Sequence, residues 1–256
     1  MKVVKKILII DAILLALSIV LFTATTIAYF TSQKKVSATF TSGDVRIALS
    51  QAAVKKDSSG NLIEDAAQPR VFGSVDGTPY DYGMIFPGQS IYKDPTIRNV
   101  GANEAYIAAR VTISDGAGDI HRLLGYDNAD YIDTDGFIGG GLLDADNLHF
   151  GEWNGIPNVT YNEYFAMMQV PDVYAGEYHL YFFILSPMSQ NDEVELFDTL
   201  RFYEEWTGED MKELRDLRID VVAYGVQTFG FSSCYEAVTS AFKSHFSGVI
   251  DLASQN

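Results

Sequence analysis

The stretch Ile107-Ala108-Ala109-Arg110-Val111-Thr112-Ile113 decides the fold class. Ile107, Ala109, Val111 and Ile113 alternate with Ala108, Arg110 and Thr112, a period of two that fits a half-buried strand and not a helix. The same short alternation recurs on both sides. Towards the amino terminus, Val36, Ala38 and Phe40 alternate with Ser37, Thr39 and Thr41, and Val45, Ile47 and Leu49 follow Gly43-Asp44. Phe86-Pro87-Gly88-Gln89 reads as a turn, 94–99 as a strand and Val100-Gly101-Ala102-Asn103 as the next turn. Towards the carboxyl terminus, 178–185 is apolar on both faces, which suits a strand in the middle of a sandwich. Segments 196–202 and 217–226 read as two further strands. Residues 55–84 are polar and read as a loop or hairpin excursion.

Two helices interrupt this pattern. Thr207 and Asp210 open one, with Met211 and Leu214 on its apolar face. Ser233 and Glu236 form a capping box before Tyr235, Val238, Phe242 and Phe246, which recur at helical spacing as a core-facing stripe. The sum is an all-β, jelly-roll-like β-sandwich with two short helices.

The amino terminus reads as a signal peptide. Lys2, Lys5 and Lys6 make a positive start, and an apolar run from Ile7 to Ile27 is broken only by Asp11 and small hydroxyl residues. Thr26-Ile27-Ala28 supplies small side chains at the positions a signal peptidase reads, which places the cut between Ala28 and Tyr29. An uncleaved anchor is the alternative, because about 20 apolar residues span a bilayer. Both readings put the rest of the chain outside the cytoplasm. The organisation expected is therefore a signal peptide over 1–28 and a β-sandwich over 29–256.

Composition narrows the function. Hydrophobic residues make up 47% of the 256 positions, with 15 Tyr and 16 Phe, enough to bury a core. The formal charge is -16, and -18 once the first 28 residues with Lys2, Lys5, Lys6 and Asp11 are set aside. So acidic a surface repels nucleic acid, which excludes it as a partner. The lone Cys234 cannot form an internal disulfide and reads as a buried helix residue. His121, His149, His179 and His245 are scattered and complete no nucleophile motif.

Several of these segments together resemble the TasA/camelysin family of fibre-forming biofilm proteins. The residues that carry the resemblance are Thr26-Ile27-Ala28-Tyr29-Phe30-Thr31-Ser32 and Val36-Ser37-Ala38-Thr39-Phe40-Thr41-Ser42-Gly43-Asp44-Val45. Phe86-Pro87-Gly88-Gln89 through Asn99-Val100-Gly101, Ala105–Val111 and Val222–Gln227 add to it. Segment 115–175 lies outside the likeness and reads as an acidic insertion between core strands. The resemblance implies a jelly roll, processing by a SipW-type signal peptidase and secretion to the extracellular matrix or cell surface. It also implies self-association into fibres, in which each subunit donates its freed amino-terminal strand to the next. Val36, Ala38 and Phe40 are then the side chains inserted into the neighbour, with other matrix or surface proteins as further partners. Strand addition to a sheet edge takes its affinity from main-chain hydrogen bonds and its register from alternate side chains.

Two other chemistries are open in sequence. The insertion carries Asp127, Asp130, Asp133, Asp135, Asp144 and Asp146. With Gly136 at the sixth position of a calcium loop, Asp133 and Asp135 fit the third and fifth. Tyr131 and Leu142, however, stand where the first ligand and the bidentate Glu belong. Asp133 and Asp135 are thus the calcium candidates in what reads as a solvated acidic loop, and no other cofactor is expected. A camelysin-like metallopeptidase would need a ligand cluster, and His149 with Glu152 is its nearest approach. Trp153 and Tyr161 offer the alternative of a monomeric adhesion module that stacks on sugar rings. The reading adopted is a structural, non-enzymatic secreted protein.

Overall fold

A computed structural model of the chain describes residues 31–34, 44–68, 70, 86–114, 137–172, 177–209 and 217–254. Fifteen strands in these residues form an all-β sandwich. The large layer is a seven-stranded antiparallel sheet. Its strands, in spatial order, are β1 (Thr31–Lys34), β15 (Arg218–Gln227), β7 (Ala105–Ser114), β12 (Glu177–Met188), β11 (Phe165–Asp172), β10 (Ile156–Tyr161) and β9 (His149–Trp153). Two smaller sheets face it. One orders β13 (Glu193–Glu195), β6 (Thr96–Asn99) and β2 (Ile47–Ser50). The other orders β3 (Val54–Lys56), β4 (Leu62–Glu64), β5 (Ser90–Tyr92), β14 (Thr199–Arg201) and β8 (Ile138–Gly139).

The two small sheets are one layer bent at a corner. β5 pairs with β14 and β6 pairs with β13. Between these ladders, Lys93 N–H donates to Asp198 O at 2.8 Å and Leu196 N–H to Pro95 O at 3.0 Å. Segment 196–202, expected as one strand, is therefore broken at Leu196–Asp198. The break lets Leu196 and Phe197, both fully buried, turn into the core.

That core fills the space between the layers. Val45, Ile47, Ile97, Ile107, Ala109, Val111, Ile113, Leu180, Phe182, Phe197 and Val221 all belong to it. Each fully buried aliphatic or aromatic side chain contributes roughly 1.5–3 kcal/mol of transfer free energy. Asn99, also fully buried, anchors the turn after β6. Its Nδ2 donates to Met188 O and Asn103 O, both at 2.8 Å, and its Oδ1 accepts from Gly101 N–H at 3.0 Å. Gly101 cannot be replaced there, because a Cβ would lie 2.2 Å from Asp44 O.

The other face of the large sheet is covered too, by the C-terminal segment. Helix α1 (Cys234–Ala241) is followed by a short 3-10 turn (Lys243–His245) and helix α2 (Ser247–Ser254). Ser233 caps α1, its side chain accepting from Glu236 N–H at 3.2 Å. Glu236 reaches back to Ser232 instead of Ser233, accepting from its N–H at 2.9 Å and its hydroxyl at 2.6 Å. The expected stripe thus runs along α1 and across the 3-10 turn, ending at Phe246 just before α2. Phe246 is its hub, with ring centroids 4.9 Å from Tyr224, 5.2 Å from Tyr181 and 5.6 Å from Phe183. This cover corrects the reading of 107–113 as half-buried: Ala108 is fully buried beneath α1, and only Arg110 and Thr112 approach solvent on that face. The helix expected to open at Thr207 is described only at Gly208 and Glu209. Among the described residues, no helix is long and apolar enough to cross a membrane.

Candidate functional site

One edge of the large sheet is built by β15 and the four-residue β1. β15 is held along its whole length by β7 on one side, from Arg218 opposite Ser114 to Gln227 opposite Ala105. On its other side, β1 covers only four positions, Thr31 opposite Val226 through Lys34 opposite Ala223. Among the described residues, Arg218–Val222 have no partner strand on that side. Odd and even positions of β15 serve different cores. Val221 and Ala223 face the space between the layers, while Val222, Tyr224 and Val226 face the C-terminal helices.

Gly225 marks the tightest point of this edge. A Cβ there would lie 2.9 Å from Ile47 Cγ2 and 3.3 Å from Val45 Cγ1. The absence of a side chain lets the β2 segment cross close above β15, so this edge is held from within the sandwich. On the opposite face, Tyr224 is fully buried among Phe242, His245 and Phe246. Burial pushes its phenol up to about 12, and the nearby Arg110 charge partly offsets this.

Ala28 and Tyr29, the expected cleavage pair, lie outside the described residues, as do Val36, Ala38 and Phe40. Of the amino-terminal segment, β1 alone is described, paired within its own chain. Asp133 and Asp135 also lie outside, and Asp144 is exposed, accepting from Gly140 N–H at 3.2 Å. The described part of the acidic segment, 137–172, builds β8–β11, and β9–β11 form the far edge of the large sheet. His149 and Glu152 sit three apart on β9, so their side chains leave opposite faces of the strand. The His149 ring lies 5.7 Å from that of Tyr161. Trp153 is half-buried and packs against the helix-side core, 6.4 Å from Phe183 and edge-on to Tyr235 at 5.9 Å. Among the described residues, no three His, Cys, Asp or Glu side chains converge as metal ligands.

Sequence reasoning missed the corner cluster around Asp94. This carboxylate is fully buried, pairs with Arg70 and accepts from Ala52 N–H at 2.8 Å and Tyr92 OH at 3.2 Å. Beside it, the buried Lys93 Nζ donates to Gln51 Oε1 at 2.8 Å. The adjacent Lys93-Asp94-Pro95 was the available signal, since opposite charges next to a proline mark a bend that needs internal pairing. The arrangement is structural: every group in it is engaged in fixing the bend.

Comparison with protein-family models, with curated proteins and with solved structures finds no match to this chain.

Proposed function

We propose that the chain is a secreted structural protein of the extracellular matrix or cell surface that assembles with copies of itself by exchange of its amino-terminal strand. The observation that carries this reading is the pairing of β1 on the outer edge of β15. The four-residue ladder has the form in which an identical strand from a second copy makes the same main-chain hydrogen bonds. Head-to-tail exchange of this kind grows filaments when its rotation does not close into a ring. The alternation at Val36, Ala38 and Phe40 supports the reading as well. Continued in the register of β1, these residues fall opposite Val221, Ile219 and Leu217, whose side chains belong to the inter-layer core. The acidic charge suits an exported chain with cations, neutral surfaces or its own copies as partners. Processing by a SipW-type peptidase at Ala28-Tyr29 frees the strand in this scheme.

The test is electron microscopy of the chain beginning at Tyr29, beside one carrying a blocking tag before it and one lacking residues 29–42. Filaments from the free terminus alone are the expected outcome. Filaments from the deletion variant exclude strand exchange. Persistent monomers in all three preparations move the function to a surface-binding module.

A further inference from the structure

The register of the large sheet brings several loops to one end. Thr31, where β1 begins, stands opposite Val226, and Gln227 at the end of β15 stands opposite Ala105 at the start of β7. Met188, the last residue of β12, also stands opposite Ala105, and Phe165 at the start of β11 stands opposite Ile184. The loops 100–104, 162–164, 189–192 and 228–233 therefore share this end with the start of β1.

Two of these loops hold aromatic rings out into solvent. Phe229 is 84% exposed, the highest value of any large hydrophobic side chain among the described residues, and Tyr164 is 57% exposed. Both sit on fixed turns. Phe231 N–H donates to Thr228 O at 3.3 Å, closing a turn with Phe229 and Gly230 at its tip, and Gly230 supplies the positive φ of 92° that a type II turn needs. Phe231 packs against the helix-side core and anchors this turn. Asn162 Oδ1 accepts from Tyr164 N–H at 2.8 Å, and Tyr164 O accepts from Leu185 N–H at 2.8 Å. A single exposed aromatic needs no explanation. The place of these two beside the start of β1 gives them a partner.

The apolar run from Ile7 to Ile27 is long enough to span a bilayer, and it stops four residues before Thr31. Four residues reach at most about 14 Å. While the run stays in the membrane, the end of the sheet where β1 starts is tethered at the headgroup layer, itself roughly 5–8 Å thick on each side. Loops at that end meet the layer at a high effective concentration, so a weak affinity is enough. A phenylalanine gains by burial there, and a tyrosine suits the boundary because its body is apolar and its tip polar. The charged residues of the four loops are Glu104, Glu163 and Asp192, with no Lys or Arg among them. That balance disfavours anionic headgroups and leaves neutral ones.

We propose that Phe229 and Tyr164 form a docking surface for a neutral lipid bilayer, the one that holds the Ile7–Ile27 run of the uncleaved chain. This goes beyond the structural reading; it rests on the apolar run and not on self-assembly. Removal of the run takes away the tether, and two rings alone bind a bilayer only marginally, so processing releases the domain.

The test is quenching of tryptophan by brominated acyl chains in the full chain, reconstituted into phosphatidylcholine vesicles. Wild type, with Trp153 and Trp206, sets the baseline. Phe229→Trp and Tyr164→Trp are expected to add fluorescence that the bromines quench. Arg218→Trp, exposed at the other end of β15 and about 30 Å from Gln227, is expected to add fluorescence that they do not. Phe229→Trp combined with Tyr164→Ser is expected to lose most of the quenching, which separates docking from mere tethering. Quenching is also expected to fall in phosphatidylglycerol vesicles. Equal quenching at 218 and 229, none at 229, or quenching unchanged by Tyr164→Ser overturns the docking surface. Equal or stronger quenching in phosphatidylglycerol overturns the neutral-lipid assignment. Extraction of the chain from the vesicles by alkaline carbonate refutes the anchored run, and the proposal falls with it. Microscopy of the chain beginning at Tyr29 reads self-assembly independently of all these outcomes.

Discussion

The Arg70 guanidinium closes on the Asp94 carboxylate at the bend that joins the two small sheets. Asp94 has no exposed surface, and the Arg70 side chain is 22% exposed. Truncating one partner leaves the other, with Ala52 N–H and Tyr92 OH, without its counterpart. Asp94→Ala is expected to cost about 3 kcal/mol, the lower end for breaking a buried pair. The double replacement Arg70→Met with Asp94→Leu is expected to cost less, because neither member of the pair is left as an unpaired charge. Chemical denaturation at neutral pH measures both, and an Asp94→Ala loss below about 1 kcal/mol refutes a stabilising role at the corner.

This cluster shows where sequence reading stopped. The strands around Ile107–Ile113, Tyr178–Leu185 and Val222–Val226 were legible because a period of two, or an unbroken apolar run, survives in them. The second cover over Ala108 and Tyr224 was not, since an alanine looks alike on a wet or a buried face. The strands of 149–172 escaped for a related reason. Ala166, Met167 and Met168 are buried alike, so no alternation marks them, although the hairpin signal Asn154-Gly155 was present. Both of those residues have positive φ, 51° and 79°, as a tight two-residue hairpin requires. Of the expected assembly residues, Val36, Ala38 and Phe40 lie outside the described residues, and the pairing of β1 with β15, Thr31 opposite Val226, is one that no local period encodes.

Gly225 gives a second prediction. A methyl group there meets Ile47 Cγ2 at 2.9 Å. Gly225→Ala is expected to destabilise by about 1–3 kcal/mol, the usual cost of overpacking. Ile47→Ala removes the opposing methyl, so the two substitutions together cost less than the sum of each alone. Strict additivity in the double-mutant cycle refutes the close crossing of β2 over β15.

Cys234 is 1% exposed, and its Sγ donates to Ile107 O at 3.2 Å. Burial pushes the thiol far up from its usual range, so almost no thiolate forms near neutral pH. Native protein is expected to resist a charged thiol reagent at pH 8 and to react with one equivalent once unfolded. Rapid native labelling contradicts the packing of α1 on β7.

Lys93 is 8% exposed, and burial brings its ammonium down to about 8, although Asp220 and Asp94 pull the other way. The unfolded chain keeps the ordinary lysine value, so between about pH 8 and about 10.5 it binds more protons than the folded chain. Stability owed to this residue therefore rises with pH across that window, and below it the buried charge carries its full cost. Lys93→Met is expected to be neutral or stabilising at pH 7, with the advantage over wild type shrinking by pH 10. An advantage that grows with pH reverses the sign and rules out a desolvated lysine.

The register of β1 on β15 turns strand exchange into a covalent readout. Thr31 lies opposite Val226. Directly opposed residues in an antiparallel pair have Cα atoms roughly 4.5–5.5 Å apart, within the range a disulfide spans. The double variant Thr31→Cys with Val226→Cys forms that bond within one chain when β1 stays at home. It forms between chains when β1 is donated, and Cys234 stays out of the exchange because it is buried. On the proposed function, oxidation under filament-forming conditions is expected to give a ladder of cross-linked multimers on a non-reducing gel, lost when residues 29–30 carry a blocking tag. Monomer alone, with the bond closed inside each chain while filaments persist, means that assembly uses another surface. In that case the far edge at β9, whose outer side has no partner strand among the described residues, is the next place to look.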